Sequence, residues 1–141
     1  MPYRFIEHTA DIAVEVEAIT IDDLFALSCH AWRDAALEEI DTSSIEWRYV
    51  SFASENYEEL LVQLLNELNF LLYTGKWVFN SIDNLEVREN NNSISLSAEI
   101  LGEPFNETVH ILKEEIKAVT YHQLKIETQS GSFRTRIVFD I

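Results

Sequence analysis

The stretch YEELLVQLLNELNFLLY, residues 57–73, decides the architecture of this chain. Its apolar residues recur at three- and four-residue spacing, which is typical of an amphipathic helix. The residues that share one side are Tyr57, Leu61, Leu64, Leu65, Leu68 and Leu72. Val62 and Leu71 extend this apolar surface further round. A helix with so broad an apolar face is expected to be largely buried and packed on a sheet.

Capping residues support this helix and predict a second one. Asn56 is the expected N-cap of the long helix, Glu59 completes its capping box, and Gly75 ends it. Nearer the start of the chain, Thr20 is followed three residues later by Asp23, which is an acidic variant of the same box. Two helices are therefore expected.

Period-two alternation predicts strands on both sides of the helices. DIAVEVEA, residues 11–18, alternates apolar and polar positions as a half-buried strand does. The other predicted strands are YRFIEH, SIEWRYVSF, WVF, NLEVRE, SISLSAEI, KAVTYHQLKIET and FRTRIVFDI. NNN and QSGS are expected to be hairpin turns. Two helices and about seven strands indicate an α+β class, with two helices packed on a mainly antiparallel sheet in a single compact domain over residues 1–141.

Composition narrows the function classes. The 25 acidic and 10 basic residues give a net charge of −15, which argues against strong direct binding to nucleic acid. The charge is compatible with metal binding, with a basic partner protein, or with solubility alone. One cysteine, Cys29, excludes an intramolecular disulfide and a cysteine metal cluster. The sequence shows neither a secretory signal nor an apolar run of membrane-spanning length, so we expect a cytoplasmic protein without membrane association.

Two acidic clusters lie where apolar strands begin or end. The first is EHTAD, residues 7–11, which contains His8 and Asp11 at a turn between two strands. The second is Asp140, next to the carboxylate of Ile141 at the end of the last strand. An acidic residue between apolar neighbours is costly unless something neutralises its charge.

Ordinary structural roles also explain these residues singly. Asp11 can satisfy a turn at the start of a strand, and His8 can be a hydrogen-bonded loop histidine. Asp140 can form a salt bridge to Arg134 or Arg136, which share its face of the last strand. Residue spacing alone does not show that the two clusters meet in space.

The stretch EEIKAVTYHQL carries a third group of candidates, Lys117, Tyr121 and His122. The ordinary interpretation makes Lys117 a surface lysine and His122 a strand residue. The sequence contains no G-x-S-x-G, P-loop or H-E-x-x-H motif, and no nucleophile with an oriented base. A metal-dependent hydrolase that uses His8 or His122 as its base is therefore the least supported function. Cys29 is expected to be a core residue.

Four stretches together resemble the archease family, in order and at matching spacing over essentially the whole chain: FIEHTADIAVEVEA, LLVQLLNELNFLLY, IKAVTYHQLKIE and the final VFDI. KAVTYH is the most specific of them. The resemblance implies an accessory protein that activates a GTP-dependent RNA ligase of the RtcB type. That ligase joins 3′-phosphate or 2′,3′-cyclic phosphate ends to 5′-hydroxyl ends in tRNA splicing and RNA repair. The archease promotes guanylylation and multiple turnover of the ligase. The alternative is a chaperone-like binding module for a tRNA cytosine methyltransferase or another tRNA-modifying enzyme, in which the metal serves only stability.

The resemblance also implies a site. The metal ligands would be Asp11, Asp140 and Ile141, the last through its terminal carboxylate or backbone oxygen. Lys117 of the KAVTY motif and His8 would act in activation of the partner. Two carboxylates and a further oxygen form a hard ligand set, which suits Ca²⁺ or Mg²⁺ and not Zn²⁺. We expect Ca²⁺, with Mg²⁺ as the alternative.

Overall fold

The computed structural model describes residues 2–6, 11–39, 46–121 and 123–141. Within these residues it contains two helices and eight strands. In chain order the elements are β1 (Tyr3–Ile6), β2 (Asp11–Ala18), α1 (Ile21–Ala36), β3 (Glu46–Ser54), α2 (Tyr57–Tyr73), β4 (Trp77–Glu89), β5 (Ile94–Pro104), β6 (Ala118–Val119), β7 (Glu127–Gln129) and β8 (Ser132–Asp140). The predicted α+β class is confirmed, with the strands divided between two sheets.

Every strand pairing in the two sheets is antiparallel. The five-stranded sheet has the order β1-β2-β8-β6, and β7 also pairs with β8. The three-stranded sheet has the order β3-β5-β4. Strand β8 thus contacts three other strands, and its pairing with β2 joins two parts of the chain that are distant in sequence.

The N-caps predicted for both helices, Thr20 and Asn56, are confirmed, whereas the return bond of the capping box at Asn56 is not formed, because the Asn56 N–H donates to Ser54 Oγ at 3.2 Å. The Thr20 hydroxyl accepts a hydrogen bond from the Asp23 N–H at 3.1 Å. The Asn56 side chain accepts one from the Glu59 N–H at 2.8 Å. These bonds satisfy N–H groups that the first turn of a helix would otherwise leave without partners.

The leucine face of α2 is buried, as predicted. Its buried leucines are Leu60, Leu61, Leu64, Leu65, Leu68, Leu71 and Leu72. They join a core that includes residues of α1 and of both sheets, among them Trp32, Phe79 and Phe139. Full burial of one leucine side chain contributes about 1.5–3 kcal/mol relative to exposure. The leucine face of α2 is therefore a major source of the stability of the fold.

Two observations on the helices complete this picture. Cys29 of α1 is fully buried, as expected for a core residue, and burial raises the pKa of its thiol. Neither α1 nor α2 has both the length and the apolar composition that crossing a lipid bilayer requires.

The prediction of two short strands at WVF and NLEVRE is wrong, because both belong to the 13-residue strand β4. Its register against β5 is interrupted after Phe79 and again around Asn84. Asn84 has a φ of 52°, a left-handed conformation in which asparagine is enriched. Such irregularities change the direction of a strand without ending it. The polar residues between WVF and NLEVRE therefore form irregularities within one strand and do not separate two strands.

The prediction of a continuous strand over KAVTYHQLKIET is also wrong. Among its described residues, only β6 and the first two residues of β7, Glu127 and Thr128, are strand. Between them the Leu124 N–H donates to the Tyr121 carbonyl at 3.2 Å, and Gln123 has a φ of 61°. The chain turns here although its β-branched and aromatic residues favour a strand.

Both predicted hairpin turns are confirmed. Ser130 and Gly131 join β7 to β8 with φ values of 51° and 82°, the left-handed pair that a two-residue hairpin turn requires. At the NNN stretch, the Asn90 N–H donates to the Ser93 carbonyl at 2.8 Å.

Gly102 of β5 provides a test of the packing between the sheet and Trp77. A Cβ at this position would lie 2.1 Å from the Val78 carbonyl oxygen and 2.5 Å from Cη2 of Trp77. We expect Gly102→Ala to lower the free energy of unfolding by about 1–3 kcal/mol, because backbone and indole must both shift. The control is Glu99→Ala, an exposed position of the same strand, where the change should stay within about 0.5 kcal/mol. Urea denaturation measures both, and equal losses would contradict the packing argument.

Candidate functional site

Asp11 and Asp140 lie directly opposite one another in the pairing of β2 with β8. Opposite residues of antiparallel strands project to the same face, with Cβ atoms about 4.5–5.5 Å apart. Asp11 is half-buried and Asp140 is exposed. The structure therefore brings Asp11 and Asp140 together, which residue spacing left open.

Lys117 lies beside this pair. Its N–H donates to the carbonyl oxygen of Asp140 at 2.7 Å, and the following residue, Ala118, is paired with Asp140 in β6. The Lys117 side chain is exposed, and Ile141 is half-buried directly after β8. Four of the five predicted site residues are thus at one end of the five-stranded sheet. The fifth, His8, lies outside the described residues.

Four facing residue pairs, here called the ladder, cross one face of β2 and β8, and three of the four pairs are charged. The facing pairs, from the far end toward the site, are Glu17 with Arg134, Glu15 with Arg136, Ala13 with Val138, and Asp11 with Asp140. Arg134 forms a salt bridge to Glu17, and the Arg136 guanidinium lies 3.9 Å from Glu15. In the described part of the molecule neither arginine pairs with Asp140, so the alternative of a bridge within β8 is not what the structure shows.

The last pair of the ladder differs from the others in sign. Two pairs match a carboxylate with a guanidinium, whereas Asp11 and Asp140 place two carboxylates opposite each other. Like charges directly opposite in a sheet are destabilising. A cation at this end of the ladder would offset that repulsion.

The candidate ligands, Asp11, Asp140 and Ile141, offer only oxygen atoms, which suit a hard divalent ion, but they are fewer than such an ion needs. Asp11 and Asp140 would supply carboxylate oxygens, and the main chain of Ile141 would be a third oxygen source. Among the described residues, no group of three or more His, Cys, Asp and Glu side chains is placed to hold a metal ion. Because Ca²⁺ takes six to eight oxygen ligands, water or a partner would complete its coordination.

Three polar side chains of α2 contact the main chain of residues 114–119, on both sides of Lys117, and their role was not predicted from the sequence. The Asn66 Oδ1 accepts the Val119 N–H at 2.9 Å, and the Asn69 Nδ2 donates to the Ile116 carbonyl at 2.8 Å. The Tyr73 hydroxyl accepts the Ile116 N–H at 3.0 Å. Asparagine inside a leucine-rich helix was the available signal, because it is a poor residue for helix interiors.

His110 anchors the loop that precedes this segment. Its Nδ1 accepts the Asn106 N–H at 2.9 Å, so the neutral ring carries its hydrogen on Nε2. Nε2 is buried, 3.6 Å from the Glu103 carboxylate and outside hydrogen-bond distance of any described group. Glu103 in turn accepts from Asn80 at 2.9 Å, and Asn80 accepts from Arg33 at 3.0 Å. This chain of polar groups ties the loop to β4 and α1.

Fold and site together define a small α+β protein with two helices, two antiparallel sheets and an acidic pair at the end of the five-stranded sheet. A model of the Archease protein family matches residues 3–141. The archease of Methanosarcina mazei is 33% identical over 139 residues, covering 99% of this chain and 95% of the relative. The archease of Archaeoglobus fulgidus is 34% identical over 143 residues, with full coverage of both. The chain belongs to the archease family.

Solved structures show the same fold. The solution structure of Methanobacterium thermoautotrophicum protein 1598 has a TM-score of 0.82, at 24% identity and 99% coverage of both chains. The crystal structure of an archease from Thermotoga maritima, described as a possible chaperone, has a TM-score of 0.59 at 24% identity, with 96% of this chain and 94% of that chain covered.

The facing carboxylates make a testable electrostatic prediction. With divalent ions removed by a chelator, we expect Asp140→Asn to raise the free energy of unfolding by about 0.2–1 kcal/mol, because one of two facing negative charges is lost. Glu17→Gln is the matched control on the same face, and it should lower stability because its charge faces Arg134. Denaturation at low ionic strength measures both changes. A loss of stability in Asp140→Asn under these conditions would contradict the prediction.

Proposed function

We propose that this protein is a metal-binding activator of a GTP-dependent RNA ligase of the RtcB type, acting in tRNA splicing and RNA repair. The proposal rests on membership of the archease family and on one observation above others. The pairing of β2 with β8 places Asp11 opposite Asp140, and Lys117 is hydrogen-bonded to the main chain of Asp140. An acidic pair and a lysine from three distant parts of the sequence thus share one accessible end of the five-stranded sheet.

Asp11, Asp140 and the main-chain oxygen of Ile141 are the residues that would hold the ion. When bound, a divalent ion would supply a positive charge to which phosphate oxygens can be attracted. We propose Ca²⁺, with Mg²⁺ as the alternative, because all the candidate donors are oxygens. The exposure of Asp140 leaves the site open to a partner.

Lys117 would contact the ligase or its nucleotide. An exposed lysine ammonium is a compact point charge that suits phosphate groups. Its main chain is fixed against β8, so the side chain starts from a defined position next to the acidic pair. His8, three residues before Asp11, is proposed to assist in activation of the partner.

The overall charge fits a protein partner better than RNA itself. A net charge of −15 repels phosphates and attracts a basic, RNA-binding ligase. Such complementarity chiefly accelerates association and selects the partner. The acidic surface would therefore guide the protein to the ligase and not to its substrate.

A chaperone-like module for a tRNA cytosine methyltransferase is the alternative, supported by the description of the Thermotoga maritima relative as a possible chaperone. The two functions predict different effects of substitutions at the end of the sheet that carries Asp11 and Asp140. If the protein acts only through other surfaces, substitutions at the candidate site should change stability without changing the activity of the partner.

The test is RNA ligation with the ligase present below the substrate concentration, with GTP, and with divalent ions varied. We expect Asp11→Ala and Asp140→Ala each to reduce the stimulation of multiple turnover by roughly tenfold or more, which corresponds to about 1.4 kcal/mol. Lys117→Ala should do the same without a change in ion binding. Glu15→Gln is the control, since it lies on the same face of β2 and outside the proposed ligand set. Full stimulation by the two aspartate variants would refute the proposal.

Ion binding can be followed on the protein alone. A ligand at 100 times its dissociation constant stabilises the folded state by about 2.7 kcal/mol. We expect Ca²⁺ to raise the melting temperature of the unmodified protein and to have little effect on Asp140→Ala. If Ca²⁺ stabilises the protein and Asp140→Ala equally, the ion binds elsewhere.

A further inference from the structure

The segment that carries Lys117 runs antiparallel to α2 and is held by a row of polar side chains, here called the polar stripe: Glu58, Asn66, Asn69 and Tyr73. The contacts, in order along the segment, are Tyr73 with Glu114 and Ile116, Asn69 with Ile116, Asn66 with Val119, and Glu58 with Ile126. As the segment advances from residue 114 to 126, its partners on the helix go back from 73 to 58.

Asn66 forms a two-point contact with a single residue. Its Oδ1 accepts the Val119 N–H at 2.9 Å, and its Nδ2 donates to the Val119 carbonyl at 3.4 Å. A carboxamide has the same donor and acceptor groups as a peptide unit. Asn66 therefore pairs with Val119 as a residue of a neighbouring strand would.

Asn69 is fixed from two sides. Its Nδ2 donates to the Ile116 carbonyl at 2.8 Å, and its Oδ1 accepts the Trp32 indole N–H at 3.0 Å. Asn69 and Trp32 are both buried. Because both ends of the amide are used, its orientation is set by α1 and cannot rotate without breaking a buried hydrogen bond.

The opposite side of the segment is bound to β8. The Lys117 N–H donates to the Asp140 carbonyl, and the Thr120 N–H donates to the Val138 carbonyl at 3.1 Å. Residues 116 and 119 bond toward α2, while residues 117 and 120 bond toward β8. The polar stripe thus takes the place of the next strand along the outer edge of β6, which would otherwise present unpaired backbone groups.

The composition of α2 supports a specific role for these residues. An interior asparagine makes a helix less stable than alanine does. Asn66 and Asn69 lie in the middle of a helix whose other buried positions are leucines. Their side chains form hydrogen bonds with the main chain of Val119 and Ile116, on the two sides of Lys117. Leucine at either position would leave backbone groups of the segment without these partners.

We propose that Asn66 and Asn69 are positioning residues: they fix the main chain on both sides of Lys117 and so hold its side chain beside the pair formed by Asp11 and Asp140. The expected effect of these residues on activation of the ligase rests on the proposed function. The placement of the segment itself can be tested on the isolated protein.

The first measurement is amide hydrogen exchange in Asn66→Ala. We expect the amide of Val119, and that of the neighbouring Lys117, to exchange about two- to tenfold faster, as loss of one hydrogen bond implies. Amides of β2 should be unchanged. Asn66→Asp keeps the oxygen that accepts the Val119 N–H and should restore protection. Gln63→Ala, an exposed amide on the same helix, is the control. Unchanged protection at Val119 in Asn66→Ala would overturn the inference.

The second measurement is a double-mutant cycle in the ligation assay. We expect Asn66→Ala to reduce stimulation on the order of tenfold and to have no further effect in the Lys117→Ala background, because it acts through that lysine. Additive losses would overturn the positioning role. If Lys117→Ala alone keeps full stimulation, the proposed role of Lys117 is wrong, and the exchange measurement still decides whether Asn66 holds the segment.

Discussion

The pairing of β2 with β8 is the constraint on which the rest of the structure depends. It connects the start of the described chain to its end, and β1, β6 and β7 are attached to one or other of these two strands. The side-chain period of a strand is two, so a slip of one residue would turn every apolar residue of β2 away from the core. The matched pairs of Glu15 with Arg136 and Glu17 with Arg134 favour the observed register, since a shift would separate each carboxylate from its guanidinium.

Helix α2 combines two kinds of interaction that usually belong to different elements. Its leucines supply apolar burial to the core, and its polar stripe supplies directional hydrogen bonds to a segment with little regular structure. Apolar burial is not directional and tolerates small shifts, whereas a hydrogen bond fixes distance and angle. The helix can therefore stabilise the fold and set the position of an irregular stretch of backbone at the same time.

Local patterns in the sequence predicted the elements whose stability is local. The caps at Thr20 and Asn56, the leucine face of α2 and the alternation of β2 depend on residues a few positions apart, and the structure confirms them. The stretch KAVTYHQLKIET was predicted wrongly because its backbone partners lie on α2 and β8, far away in sequence. Strand propensity describes how side chains fit a half-buried surface and does not identify the groups that a backbone bonds to.

The candidate site could be predicted only in part. Asp11, Asp140 and Lys117 were identified through the resemblance to a family, because nothing in their spacing shows that they meet; the β2–β8 register supplies the physical reason that they do. Asn66 and Asn69 were missed, although their low helix propensity marked them. The identity of the ion, the ligand roles of Asp11, Asp140 and Ile141, and the roles of Lys117 and His8 in activation stay predictions.

The β2–β8 pairing also has a consequence for the order of events during folding. Closing a loop of nearly the whole chain carries a large entropic cost, and contacts of such long sequence separation slow folding. During synthesis, α1, α2 and the β4–β5 hairpin leave the ribosome before β8 exists to cover the open edge of β2. The nascent chain must keep that edge from pairing with other molecules until its final strand arrives. The acidic pair and the lysine therefore come together only in the last step of assembly, because a chain that stops short of β8 lacks Asp140 and the strand that joins β2 to β6.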